Sequence, residues 1–294
     1  MKPTDLVLTR SQVSQKVDAI GTTTQKVHVD VGELRMQEHR SRMIKWLSPS
    51  DPSTNYNKAL EQRQEGTGLW FIHGDAFKQW KQHSNSFLWL HGIPGCGKTE
   101  LSSTIIEHLK RDTSFGVLLY FYFDFNDTSK QTLDNVLRSL IKQLYQQRPD
   151  ARQPLDQSWN AHGEGSQRPS TSSLQSVLQA KLNMIDKVCI VLDALDESTP
   201  RCDILAWLQT LVTNKSAACQ LLVTARREED IESALQTWTH PEDRIAIQQS
   251  DVDADIEAYV THEVHHGEDL KRWQSRPDLQ KEIELKLMEK ANGM

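Results

Sequence analysis

Residues 87–106 read FLWLHGIPGCGKTELSSTII, and this stretch decides the fold. The apolar run at 87–90 predicts a buried parallel strand, and residues 99–111 predict a helix. Between them, Gly92 to Thr99 matches the pattern G-x-x-x-x-G-K-[ST] at every fixed position. A strand, a glycine-rich loop and a helix in this order form the setting in which that pattern binds phosphate.

The residue types in this loop suit an anion. Several backbone N–H groups have to point at the phosphate oxygens, and glycines permit the tight curl that this requires. The next helix directs its positive end at the same anion. Lys98 adds a charge, and the Thr99 hydroxyl can ligate Mg²⁺. We therefore expect ATP or GTP, with Mg²⁺, to be bound by Gly92, Ile93, Pro94, Gly95, Cys96, Gly97, Lys98, Thr99 and Glu100. The Glu100 carboxylate is expected to point outward, away from the phosphates.

A second motif supplies acids. Residues 187–193 read KVCIVLD, an apolar strand that ends on Asp193. Parallel sheets bind ligands at the carboxyl ends of their strands, so we expect Asp193 to hold Mg²⁺ directly or through water. Asp196 or Glu197 could polarise the attacking water. Residues 221–227 predict another strand, after which Arg226 could touch the γ-phosphate, a surface arginine being the alternative.

The rest of the chain alternates in the same way. Further strands are expected at 115–125 and 244–247, and helices at 57–64, 75–82, 132–147 and 174–182. This alternation predicts an α/β, three-layer P-loop NTPase fold with a parallel sheet of about five strands. Residues 148–172, rich in Pro, Gln, Ser and Gly, predict a mobile loop. The expected domains are a helical leader at 1–45, a helical segment at 46–84, the NTPase core at 85–250 and a C-terminal helical segment at 251–294.

The leader carries an apolar repeat with alternating spacings of four and three residues. This repeat is typical of a coiled-coil seam, although Gly21 and three threonines weaken the helix. A helix that packs on its own domain and a coiled coil both remain open. The repeat consists of Val13, Val17, Ile20, Thr24, Val27, Val31 and Leu34.

Composition narrows the function. The formal net charge is −6 and no strongly basic block appears, which argues against a binder of nucleic-acid backbone. The longest apolar run, 117–123, is far too short for a membrane span. The four cysteines form no C-x-x-C pair, so neither a zinc knuckle nor a redox pair is indicated, and a cytoplasmic location is expected.

Residues 262–266 read HEVHH and match the H-E-x-x-H pattern of zinc proteases. On a helix His262 and His266 would share one face, with Glu263 as the base and Glu282, Glu284 or Glu289 as a third ligand. A polar helix that happens to hold three histidines is the interpretation we favour, because the other motifs describe an NTPase.

Together these motifs resemble the NACHT subclass of signal-transducing (STAND) ATPases, in the form of the nephrocystin-like N-terminal domain of fungal multidomain proteins. The matching stretches are WLSPSDPSTNYNKALEQRQEGTGLWF (46–71), FLWLHGIPGCGKTELSSTII (87–106), YFYFDF (120–125), LRSLIKQL (137–144), VCIVLDALDE (188–197) and LLVTAR (221–226).

The resemblance implies a nucleotide-driven switch with slow hydrolysis and with protein partners, self-association included, reached through the flanking segments. It implies Asp193 for magnesium, Glu197 for hydrolysis, Arg226 as a sensor and Thr67 near the base or ribose. Members of the family usually continue into a winged helix and repeats. Since the sequence stops at Met294, we expect a fragment, or a short protein that binds nucleotide without the usual switching.

Two rivals stay open at this stage. A conventional P-loop enzyme such as a nucleotide kinase would need an acceptor site and lid arginines, and the 148–172 segment offers Arg152 and Arg168. A degenerate scaffold would bind nucleotide tightly without turnover. The identity of the base is left undetermined.

Overall fold

The computed structural model describes residues 10–112, 114, 116–213 and 219–291. The chain divides into two compact units, residues 1–48 and 49–294. The first contains one long helix, α1 (Arg10–Leu47). Ile20, Val27 and Leu34 of the predicted seam are all more than half exposed along it, whereas the side chains of Val13 and Val17 and the start of the 1–45 leader lie outside the described residues. The coiled coil stays a prediction.

Three short helices open the second unit: α2 (Ser53–Gln62), α3 (Leu69–His73) and α4 (Asp75–Gln82). The helices expected at 57–64 and 75–82 correspond to α2 and α4, while α3 was not predicted. Phe71, Phe77 and Trp80 from these helices are buried in the core beneath the sheet, so the segment belongs to the same packed body as the strands.

Five strands alternate with helices in the remainder of the second unit. In chain order they are β1 (Phe87–His91), α5 (Lys98–Arg111), β2 (Val117–Tyr122), α6 (Leu133–Gln147), α7 (Gln153–Ala161), α8 (Thr171–Leu182), β3 (Val188–Asp193), α9 (Arg201–Thr213), β4 (Cys219–Ala225), α10 (Glu229–Gln236) and β5 (Arg244–Ala246). All strand pairs are parallel and the order is β2-β3-β4-β1-β5. The α/β fold with a five-stranded parallel sheet is confirmed.

The central strands are buried along their whole length. Every residue of β3 and β4 is buried, which is why residues 188–192 of β3 and 221–223 of β4 are continuous apolar runs and not alternating ones. The strand expected at 115–125 is shorter, since β2 spans only 117–122 and residue 115 lies outside the described residues.

The prediction of a mobile loop at 148–172 is wrong in part. Helix α7 occupies its middle, with Pro154 in the first turn, and Leu155 and Trp159 are buried. Proline is well tolerated at a helix start, and these two apolar side chains, one helical turn apart, supply the face that packs. The polar composition concealed a short amphipathic helix.

Two further helices follow the sheet, α11 (Gln249–His266) and α12 (Pro277–Ala291). They pack against one another, and Val260 and Val264 of α11 and Gln280 of α12 are buried. Within the described part of the chain, every helix is too short or too polar to traverse a lipid bilayer.

Candidate functional site

The sheet order brings three strand ends together. β4 lies between β1 and β3, and its register pairs Ala225 with His91 on one side and Val223 with Leu192 on the other. The loop after β1, the acid that ends β3 and the arginine after β4 therefore meet at one edge of the sheet. This is the carboxyl edge at which parallel sheets bind ligands.

The loop after β1, residues 92–97, is called the glycine loop below. Gly95 and Gly97 have φ angles of 80° and 77°, and α5 begins at the next residue, Lys98. A Cβ at Gly92 would lie 2.6 Å from the Cys96 sulfur, so a larger residue there would require the Cys96 side chain to move. The first N–H groups of a helix have no partner within the helix, and these face the concave side of such a loop.

Lys98 lies across the glycine loop. Its Nζ donates hydrogen bonds to the backbone oxygens of Gly92 at 2.9 Å and Ile93 at 2.8 Å, and its contact to Cys96 Sγ is 3.7 Å. An ammonium group has three donors. Two are held by the loop's own carbonyls, and the third faces a weak sulfur acceptor that a phosphate oxygen would replace favourably.

Asp193 is buried behind the loop, with only 2% of its surface exposed. Its carboxylate accepts hydrogen bonds from three hydroxyls: Thr99 at 2.9 Å, Ser102 at 2.5 Å and Thr224 at 2.7 Å. Burial raises the pKa of Asp193, and these three hydrogen bonds oppose the rise. The Thr99 hydroxyl therefore donates its hydrogen bond to Asp193, and the lone pairs on its oxygen remain available to another ligand.

This donor set fits a magnesium ion. A hydroxyl oxygen backed by a buried carboxylate is a hard oxygen ligand, which Mg²⁺ prefers together with water and phosphate oxygens. Thr99 lines the cavity described below and Asp193 does not. The residues therefore favour Thr99 as the direct ligand, with Asp193 acting through Thr99 or through water.

The backbone turns sharply after Asp193. Ala194 adopts a left-handed conformation with φ of 57°, which costs a non-glycine residue roughly 1–2 kcal/mol. Its N–H donates to the Thr224 hydroxyl at 3.0 Å, which ties this turn to β4. The turn carries Asp196 and Glu197 towards the cavity.

Asp196 and Glu197 have different partners. Asp196 accepts from the Arg226 backbone N–H at 2.9 Å and pairs with Arg226 Nε at 3.1 Å. Glu197 accepts from the Phe125 N–H at 3.0 Å, and burial, followed by the charges of Asp196 and Asp124, raises its pKa. Asp196 is therefore paired with an arginine side chain, whereas the partner of Glu197 is a backbone N–H.

Two predicted residues at the margin lie in the same cavity. Thr67 lines it and bonds through its hydroxyl to the Gln64 oxygen at 2.8 Å. Glu100 also lines it, and its Oε2 lies 4.0 Å from the position that a Cβ of Gly97 would take. Burial and the nearby Asp193 charge raise the pKa of Glu100. The expectation that Glu100 points away from the loop is therefore wrong.

One cavity of about 740 Å³ is lined by residues 94–100, Asp196, Glu197 and Arg226, and this size is typical of small-molecule sites. At one end lie the glycine loop, Lys98, Thr99 and the Asp196–Arg226 pair. The part of the other end that α11 forms was not predicted, because the sequence of this helix carries no nucleotide-binding motif. The lining residues of α11 are Val252, Asp255, Ile256, Tyr259 and Glu263.

The HEVHH segment lies at the end of α11 and has a different geometry from a zinc site. The rings of His262 and His266 are 5.3 Å apart, but Glu284, one of the proposed third ligands, contacts His265 at 3.0 Å. Across the described residues no group of three or more His, Cys, Asp or Glu is placed to hold a metal. Glu263 lines the nucleotide-sized cavity instead.

The fold, the glycine loop and the buried acid define a P-loop NTPase-type module. Residues 66–226, more than half of the chain, match the family described as Nephrocystin 3, N-terminal. The chain belongs to this family, as its motifs predicted.

A curated relative, the vegetative incompatibility protein HET-E-1 of Podospora anserina, is 32% identical over 181 residues. That match covers 58% of this chain and 13% of HET-E-1. The chain thus spans only a small part of this relative's length.

Solved structures are more distant. Domain III of the replication initiation protein DnaA of Thermotoga maritima is 14% identical with a TM-score of 0.35, over 75% of this chain and 78% of that one. The Aeropyrum pernix ORC1 protein, solved in complex with DNA, is 15% identical with a TM-score of 0.39, over 75% and 52%. Similarities this low carry no argument about ligands.

Proposed function

We propose that this chain is a NACHT-type switch module that binds ATP or GTP with Mg²⁺ and hydrolyses it slowly. One observation carries the proposal: the Thr99 hydroxyl donates to the buried Asp193 at 2.9 Å directly behind the glycine loop. A structural glycine turn has no need of a desolvated acid held by three hydroxyls, whereas a magnesium–phosphate site needs this pairing of hydroxyl and carboxylate.

The residues divide the work by position. The glycine loop and the start of α5 bind the phosphates, and Lys98 exchanges its contact with Cys96 Sγ for a phosphate oxygen. Thr99 ligates the metal, oriented by Asp193. When bound, Mg²⁺ would supply positive charge that stabilises the phosphate oxygens.

Glu197 is the proposed general base that accepts a proton from the attacking water. Burial raises the pKa of Glu197 above its ordinary value of 4.5. Glu197 therefore begins to be protonated at a higher pH than an exposed glutamate does. Since only the ionised carboxylate can act as a base, turnover should decrease as the pH is lowered through this range. Arg226, held by Asp196 at 3.1 Å, lines the cavity and is placed to exchange this partner for a γ-phosphate. The pair therefore couples the end of β4 to the presence of a third phosphate.

A nucleotide kinase is less well supported. Its lid arginines were sought at 148–172, but Arg152 bonds to the Tyr145 carbonyl oxygen at 3.1 Å and lies over the Tyr145 ring. Among the described lining residues of the cavity, neither Arg152 nor Arg168 is present. Hydrolysis by water accounts for the acids at the site without a second substrate.

The test is turnover by the wild-type chain and by Glu197→Gln. We expect slow phosphate release that small acceptors do not accelerate, and a loss of about 100-fold or more in kcat for the variant, with nucleotide affinity retained. The pH dependence on the acid side should disappear with it. Unchanged turnover in Glu197→Gln would refute the role of this residue, and acceleration by an acceptor would favour the kinase.

We also propose that α1 pairs with a second copy of the chain. Ile20, Val27 and Leu34 repeat every seven residues on α1 and are exposed by 54–65%, as a coiled-coil seam is before pairing. Sedimentation of the full chain tests this, and a monomer at micromolar concentration would contradict it.

Four free cysteines, Cys96 in the glycine loop among them, suit a reducing cytoplasmic location.

A further inference from the structure

The end of the cavity far from Lys98 has a distinct construction. Its walls come from the turn and short helix at 66–70 and from α11. The five α11 residues in the wall are separated by three, one, three and four positions, so they occupy a single face of the helix. That helix follows the family match, which ends at residue 226. This part of the site is a property of the structure that the family motifs do not describe.

A hydrogen bond fastens the two walls together. The Gly68 N–H donates to Asp255 Oδ2 at 2.7 Å, joining residues 187 positions apart. Gly68 has a φ of 78°, a conformation that glycine adopts freely. Burial raises the pKa of Asp255, while the hydrogen bond from the Gly68 N–H opposes that rise. The carboxylate is partly desolvated and has a second oxygen to offer a ligand.

The chemistry of this end is unsuited to phosphate. Trp70 and Tyr259 present aromatic surface, and Val252 and Ile256 present aliphatic surface. The carboxylates of Asp255 and Glu263 would repel a triphosphate. Arg63 also lines this wall, but its guanidinium is paired with the Glu107 carboxylate, with 2.6 Å between the nitrogen and the oxygen. Lys98 and the carboxylates of Asp255 and Glu263, which lie at opposite ends of the cavity, therefore orient a ligand with its anionic end at Lys98.

We propose that Trp70, Asp255 and Tyr259 form the nucleoside subsite, in which the base lies against the two aromatic rings and a ribose hydroxyl donates to Asp255. This proposal rests on the proposed function, since it concerns the other end of the same ligand. Stacking of a base on an aromatic side chain contributes about 1–3 kcal/mol. The subsite recognises a nucleoside. Because the hydrogen bond between Gly68 and Asp255 connects α11 to residues 66–70, this helix is part of the binding site.

The experiment compares a ligand that has a nucleoside with one that has none. Mg²⁺-ATP, Mg²⁺-GTP and Mg²⁺-tripolyphosphate are titrated into the wild-type chain, Tyr259→Ala and Glu257→Ala. Glu257 is an exposed residue on the same helix that does not line the cavity, so Glu257→Ala is the matched control. We expect Tyr259→Ala to bind the nucleotides about 10-fold more weakly and tripolyphosphate as the wild type does.

A second variant tests the ribose contact without removing bulk. Asp255→Asn keeps the shape of the side chain and weakens it as an acceptor. The wild type should prefer the ribonucleotide to its 2′,3′-dideoxy analogue, and Asp255→Asn should lose most of this preference. Circular dichroism and the urea midpoint confirm that both variants are folded.

The outcomes separate the two proposals. If the wild type binds neither nucleotide nor tripolyphosphate, both the proposed function and the proposed subsite are wrong. If the wild type binds both ligands and Tyr259→Ala binds nucleotide as tightly as the wild type does, the subsite alone is overturned. Equal losses for nucleotide and tripolyphosphate in Tyr259→Ala also overturn it, because the residue would then act on the whole site.

Discussion

The two ends of the cavity are built in opposite ways. The phosphate end consists of backbone groups and charges within eight consecutive residues, 92–99, supported by Asp193 and Thr224. The nucleoside end consists of side chains from elements almost 190 positions apart, joined by the Gly68–Asp255 hydrogen bond. One end is set by local geometry and the other by how α11 packs on the sheet.

This difference has a consequence for how the site responds. The phosphate end is formed whenever β1, β3 and β4 are paired, because the strands themselves place its groups. The nucleoside end exists only while α11 lies against residues 66–70. A ligand that touches both ends would stabilise the docked helix by its differential affinity for that state.

The largest effect is expected at Lys98. Lys98→Ala removes a charge-assisted contact to phosphate, which we expect to weaken triphosphate binding about 100-fold. Tripolyphosphate should lose as much as ATP, since both use the same end. Thermal-shift titration measures this, with exposed Lys58→Ala as the control. If Lys98→Ala retained the affinity of the wild type for triphosphates, the assignment of this end of the cavity to phosphate would be wrong.

The next effect concerns the metal, and the chain offers a matched pair. Thr99→Val and Ser102→Ala each remove one hydroxyl from Asp193, but only Thr99 lines the cavity. We expect Thr99→Val to lose most of the gain in affinity that Mg²⁺ gives, about 10-fold, and Ser102→Ala to keep it. Binding with Mg²⁺ and with EDTA gives the comparison. Equal behaviour of the two variants would mean that Thr99 only supports Asp193.

The smallest effects concern the stability of the two turns. At Gly68 a Cβ would lie 3.0 Å from a Leu101 methyl carbon at a φ of 78°, so Gly68→Ala should lower the free energy of unfolding by about 1–3 kcal/mol. Ala194→Gly relieves a left-handed alanine and should change stability by less than about 1 kcal/mol, in the stabilising direction. Urea unfolding measures the free energy of unfolding of both variants. If Ala194→Gly lowered this free energy more than Gly68→Ala does, the Ala194 methyl group would be needed for packing of the turn after Asp193.

The sequence identified most residues of the proposed phosphate end and hardly any of those at the proposed nucleoside end. The glycine loop and the acid that ends β3 are recognisable because their chemistry requires fixed residue types at fixed spacings. Thr67 was found only through the family resemblance. Asp255 and Tyr259 lie on a helix with mostly polar residues, and nothing local shows which face is covered. Their spacing marks one face of a helix, but its partner becomes visible only when the fold is known.

Two further elements show the same limit. Helix α7 was hidden by a polar, proline-containing stretch, although Leu155 and Trp159 are buried one turn apart. Glu100 was expected to point outward because a carboxylate beside phosphate is unfavourable, yet it lines the cavity. In both cases tertiary packing overrode a local rule that was sound by itself.

Isothermal titration calorimetry of the wild-type chain tests the central claim most directly, with ATP, ADP and GTP each in the presence of Mg²⁺ or EDTA. The account predicts one nucleotide per chain, and an affinity for the triphosphate that falls when the metal is removed. Binding of none of these nucleotides, or binding of equal strength with and without Mg²⁺, would contradict it.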